Sequence, residues 1–102
     1  ELLNRAPPKR VRQPVHDAVE AVLGEWAARA FSLRMVRPGR TLYLLVHVVV
    51  PENSQAATLA EQDRVRAELD ERLRRIVQPL VLDVVFTGEA RWAAPGNGQG
   101  PV

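Results

Sequence analysis

The chain contains no cysteine, so no disulfide framework can brace it and no thiolate can act as nucleophile or metal ligand. It has two histidines, His16 and His47, too few to fill a four-ligand zinc site without carboxylates or a second copy. Aromatic residues make up only 5% of the sequence. An RNA-binding sheet needs exposed aromatics to stack bases, and on the strand-like segments only Tyr43 and Phe86 are candidates. The longest apolar run is about ten residues, half of the roughly 20 that a membrane-spanning helix requires. Glycine-rich phosphate loops, GxSxG elbows and HExxH pairs are missing too, which leaves no recognisable catalytic motif.

What is present is an ordinary globular composition. The 102 residues suit one domain with a single modest core, 46% hydrophobic and 25% charged. Fourteen basic and twelve acidic residues leave a net charge of +2. The pI of 9.9 reflects residue type rather than excess, because every basic residue except Lys9 is an arginine. Arg5, Lys9, Arg10 and Arg12 cluster near the amino end, as in a solvated tail or a segment beside a membrane. The chain opens on Glu1 without a signal-peptide pattern, and reads as a piece of something longer.

Residues 1–13 form a basic lead-in broken by Pro7 and Pro8, and Pro14 suits the first turn of a helix. Val15, Ala18, Val19, Val22, Leu23 and Trp26 then recur at helical spacing, with Gly24 near the expected end. From Phe31 the period falls to two. Arg37-Pro38-Gly39-Arg40 predicts a turn with a positive-φ glycine, joining this strand to a second one, TLYLLVHVVV, that Pro51 ends. The next helix starts near Ser54 or at Thr58, where TLAE has capping-box spacing, and runs to about Val77. Val65, Leu69, Leu73 and Ile76 share its core face, and Glu68–Arg72, Asp70–Arg74 and Glu71–Arg75 are spaced to pair outside. Pro79 breaks this helix, LVLDVVF is the last strand, and residues 89–102 read as a mostly disordered tail. Trp26 and Trp92 read as packing residues.

The order helix, strand, strand, helix, strand predicts an α+β domain over residues 14–88, a two-layer ferredoxin-like αββαβ sandwich. Such a sheet meets helices on one face and water on the other, so alternate strand residues should be polar. They are not: Leu42, Leu44, Val46 and Val48 alternate with Tyr43, Leu45, His47 and Val49. A second apolar face predicts a partner, most simply another copy of the chain. His47 lies in this run, as a packing residue or as a ligand.

The segments ELLNRAPP, RPGRTLYLLVHVVVPE, LAEQDRVRAEL and LDVVFTGE, in this order over residues 1–90, resemble the cytoplasmic C-terminal domain of cation diffusion facilitator transporters. The resemblance implies a regulatory, non-enzymatic αββαβ domain that forms a homodimer through its sheet side and tip. Residues 1–13 become the linker that follows the membrane part of the same chain, and the domain lies on the cytoplasmic face of the cell membrane. The family exports divalent cations, zinc among them, usually against protons, and cytosolic metal favours its transport-competent dimer. His47 matches a family ligand position on the second strand, and Glu61 and Glu89 fall near two others. Phe31 and Phe86 stand where many members have histidines, so the implied zinc or other divalent site is a reduced one. No nucleic acid is expected as partner under this reading. The alternative is a free-standing ferredoxin-like domain that binds a small ligand or nucleic acid.

Overall fold

A computed structural model of the chain describes residues 6–53, 55 and 57–93, and the backbone of residues 98–100. Two helices, α1 (Lys9–Glu25) and α2 (Leu59–Arg74), cover one face of a sheet whose main strands are β1 (Ala30–Val36), β2 (Leu42–Val49) and β3 (Leu80–Thr87). This is the α+β two-layer αββαβ sandwich that the periodicity predicts. β2 is central, antiparallel to β1 and parallel to β3, so α2 is the crossover that a parallel pair requires. A short strand β4 (Gly98–Gly100) pairs with β1 on its free side, giving the order β3-β2-β1-β4.

The core follows from alternation on the strands and from three- and four-residue spacing on the helices. Phe31, Leu33 and Met35 of β1, Leu42, Leu44, Val46 and Val48 of β2, and Leu80 and Val84 of β3 meet Val15, Val19, Val22 and Leu23 of α1 and Val65, Leu69 and Leu73 of α2. Each of these side chains is buried. At roughly 1.5–3 kcal/mol for each fully buried aliphatic side chain, this layer supplies the main favourable term in folding.

Several local expectations are corrected. Helix α1 starts at Lys9, so residues 9–13 belong to the helix and not to a linker, and Pro14 lies inside it. Pro8 occupies the N-cap in extended conformation, and its carbonyl accepts from Val11 and Arg12 N–H. Gly24 does lie in the last turn of α1, which ends at Glu25, and the left-handed residue that closes the helix is Ala27, at φ 65. Ala28 N–H donates to Leu23 O and Ala27 N–H to Gly24 O, the pair of bonds of a Schellman end. Gly39 has no positive φ, so the hairpin closes without a left-handed glycine. Helix α2 ends at Arg74, and the additional turn beyond it buries Val77 and leaves Ile76 41% exposed.

Thr58 caps α2 as the TxxE spacing predicts, its Oγ1 accepting from Glu61 N–H at 3.2 Å. Asp70–Arg74 and Glu71–Arg75 pair as expected, but Glu68 pairs with Arg64 four residues before it, leaving Arg72 without a carboxylate. Arg29 ties the far end of the sheet together. Its guanidinium donates to Val50 O at 2.9 Å and to Gly88 O at 2.6 Å, so the ends of β2 and β3 share one cation.

After β3 the chain turns at Gly88 and forms a 3-10 turn at Ala90–Ala93. The turn approaches β1, β2 and β3 and neither helix, so it lies on the face opposite the helical layer. The tail expected to be disordered over 89–102 thus has structure at 90–93 and 98–100, while residues 94–97 and 101–102 lie outside the described residues.

Candidate functional site

The outer face of the sheet divides into two halves. Near the β2–β3 ends, Val49 is 1% exposed and Ser32 is buried, because the 90–93 turn covers this region. Toward the hairpin the face is open. Tyr43 and Val81 remain 45% and 48% exposed and stand directly opposite each other in the parallel β2–β3 register, and the open region continues along β3 to Val85, 40% exposed and opposite His47. A shallow apolar hollow of about 250 Å³ lies between Tyr43, Leu45, Val36 and Val81, with Arg34 on one rim and Asp83 on the other. The two rim charges come from opposite edges of the three main strands and are opposite in sign. A patch with this arrangement is self-complementary: a second copy turned through 180° sets Arg34 against Asp83 and apolar against apolar.

His47 sits on this outer face, half-buried, between Ser32 on β1 and Val85 on β3. Among the described residues it makes no hydrogen bond. Glu61 lies in the first turn of α2, in the helical layer, and Glu89 lies in the turn after β3. One chain therefore does not gather His47, Glu61 and Glu89 into a single ligand set, since the sheet separates His47 from Glu61. Glu61 is instead held by Arg64, at 3.0 Å. Arg64's hydrogen bond and charge push the Glu61 carboxyl below the usual glutamate range, and the Trp26 indole adds a smaller contribution in the same direction. Trp26 Nε1 does not reach hydrogen-bond geometry, and is the buried side-chain polar atom without a partner among the described residues. Trp26 otherwise packs as expected, edge-on to Phe86 at 5.7 Å, and Arg66 lies 5.1 Å over the same Phe86 ring. Trp92 differs from expectation, being 61% exposed with the Arg91 guanidinium 4.8 Å over its ring. Glu89 pairs with that same Arg91 at 2.8 Å.

The histidine that does sit among carboxylates is His16. His16, Asp17 and Glu20 on α1 bring one ligand atom each within 4.8 Å of one another. His16 packs against the Phe31 ring at 5.7 Å, and Asp17 accepts from Gln13 at 2.9 Å. The set can hold a divalent cation with three ligands open to water, and exposed groups of this kind also exist as plain helix surface. The readable signal was His16 and Glu20 at i, i+4, which places both on one helix face.

Compared with known proteins, the chain matches no family model and no curated sequence. No helix among the described residues is long and apolar enough to cross a membrane.

Proposed function

We propose that this chain is the dimerising, regulatory domain of a divalent-cation efflux transporter, placed at the cytoplasmic face of the membrane next to the transporter's membrane part. The observation that carries the reading is the open apolar part of the outer sheet face, where exposed Tyr43 and Val81 line a hollow flanked by Arg34 and Asp83, charges of opposite sign. The αββαβ order supports it as well, being the architecture that the segment resemblance implies.

In this reading two copies meet through the open face about a two-fold axis. His47 is on the side from which the partner arrives, whereas Glu61 is in the helical layer. A metal that uses His47 takes its remaining ligands from the second copy, and acts by shifting population toward the closed pair. Zinc or another divalent cation is the effector, and transport belongs to residues of the membrane part.

Two measurements test this. Sedimentation velocity from micromolar to millimolar concentration should show the mass rising toward twice that of the chain, and a monomer at every concentration overturns the dimer. Zinc calorimetry on the wild type and on His47→Ala should differ. Identical heats remove His47 from any metal site.

A further inference from the structure

The net charge of +2 conceals a separation of charge along the strands. At one end lie the start of α1, the β1–β2 turn, the end of α2 and the start of β3. At the other lie the end of α1, the end of β2, the start of α2 and the end of β3. Carboxylates collect at the second end as Glu25, Glu52, Glu61, Asp63 and Glu89, and the arginines there are neutralised: Arg29 by Glu52, Arg64 by Glu61, Arg66 by Asp63 and Arg91 by Glu89.

The first end is the reverse. Among the described residues, every lysine or arginine without a carboxylate partner lies on or toward it. Lys9, Arg10 and Arg12 stand in the first turn of α1, Arg37 and Arg40 in the hairpin turn, and Arg72 in the last turn of α2, while Arg34 is exposed on β1, two residues before the strand ends at the hairpin. Two of these side chains are braced. Arg12 Nε donates to Pro7 O at 3.0 Å and Arg37 Nε to Arg40 O at 3.1 Å, leaving the outer guanidinium nitrogens free. Between them is an open hollow of about 380 Å³ lined by Pro7, Pro8, Arg37, Arg40 and Gln78. Helix α1 has no acidic residue in its first turn and no side-chain cap, so its positive pole adds to the same field.

We propose that this end of the molecule is a docking surface for an anionic phospholipid bilayer. The choice of occupant follows from geometry. The cations belong to three separate segments, and both helices meet the surface end-on. Neither helix offers a long face to a nucleic-acid groove, which is how a duplex is read. An end-on array of arginines around a shallow hollow instead fits a plane of phosphate headgroups, which attracts basic residues within a Debye length. The proposal stands on charge placement alone and does not need the transporter reading.

The test is co-sedimentation of the 102-residue chain with vesicles. It should pellet with phosphatidylcholine vesicles containing phosphatidylserine, not with phosphatidylcholine alone, and the bound fraction should fall with added salt. Arg10 and Arg40 are both exposed. Each Arg→Ala change should weaken partition about five-fold, and the pair about 25-fold. Arg72→Ala repeats the five-fold loss from a different element, and Arg91→Ala, at the acidic end, should leave binding unchanged. Equal pelleting with both vesicles, no pelleting, or full binding by the double variant overturns the proposal. So does displacement by inorganic phosphate at matched ionic strength, which makes the hollow a free-anion site, or tighter binding to a short DNA duplex. Sedimentation without vesicles keeps the two readings apart: a monomer that pellets loses the dimer and keeps this surface, and a dimer that does not pellet does the opposite.

Discussion

Placing a charge on the open half of the sheet should break the dimer without harming the fold, and Val81→Lys is the sharpest version. Val81 is 48% exposed, so about half of its surface remains for a partner to cover. Full burial of such a side chain is worth roughly 1.5–3 kcal/mol, so its uncovered half is worth about 1 kcal/mol. A two-fold interface contains it twice, and the two ammonium groups then face a shared apolar surface. The loss comes to about 3 kcal/mol or more, at least a hundred-fold in dissociation constant. Sedimentation equilibrium measures that shift. β3 is an edge strand, where lysine is an ordinary residue, so the monomer's unfolding free energy should stay within about 0.5 kcal/mol. Ile76→Lys is the matched control, since Ile76 is 41% exposed but belongs to the turn after α2. An unchanged dissociation constant in Val81→Lys, or an equal loss in Ile76→Lys, refutes the assignment of the interface to this face.

Ala27→Gly should stabilise the chain by about 0.5–1 kcal/mol in urea denaturation, because Ala27 holds the left-handed position that glycine adopts without strain. Leu69→Ala, at a fully buried position on α2, should cost about 2–5 kcal/mol in the same assay. Glu61 makes a pH prediction. Arg64 lowers its folded pKa, so its contribution is present above the unfolded carboxylate value and is lost as pH falls through the folded one. Melting temperatures of wild type and Glu61→Gln should therefore differ at neutral pH and converge in acid, and a difference that persists or grows in acid would contradict the pairing.

The sequence made the layers legible because their signals are periodic and local. Alternation located the three main strands to within a residue, though not β4, and TLAE located the start of α2 through the Thr58 cap. What it could not show depends on competition between neighbours. Pro14 can start a helix, but Pro8 also can, and the longer helix starting at Lys9 wins although Pro14 then supplies no N–H to its ladder. Glu68 had two arginines within reach, Arg64 and Arg72, and spacing alone does not rank them. The candidate site was half legible. The doubly apolar strand pointed to the outer face, but no local pattern shows that the 90–93 turn folds back over part of it, or that His47 and Glu61 lie in different layers.

That turn limits the footprint a partner can have. With Val49 and Ser32 already covered, a second copy has only the hairpin end and the β3 side of the sheet to bury, from a hollow of about 250 Å³ to Val85 beside His47. A contact confined to a few side chains per copy falls at the small end of stable interfaces, those below about 1,200 Å² in total. Dimerisation of the chain in solution is then weak by construction, and the dissociation constant belongs in the micromolar range or above. Holding two copies at one membrane changes the arithmetic, because confinement supplies an effective concentration that free diffusion does not. The basic end and the open face point in different directions, along and across the strands, so one can lie on a bilayer while the other meets its partner. The two surfaces are therefore coupled through concentration rather than through contact. Adding phosphatidylserine vesicles should strengthen dimerisation of the wild type, measured by energy transfer between labelled copies, and should lose that effect in the Arg10→Ala, Arg40→Ala double variant. Dimerisation that ignores the vesicles while the protein is bound to them would show that the two surfaces cannot be occupied together.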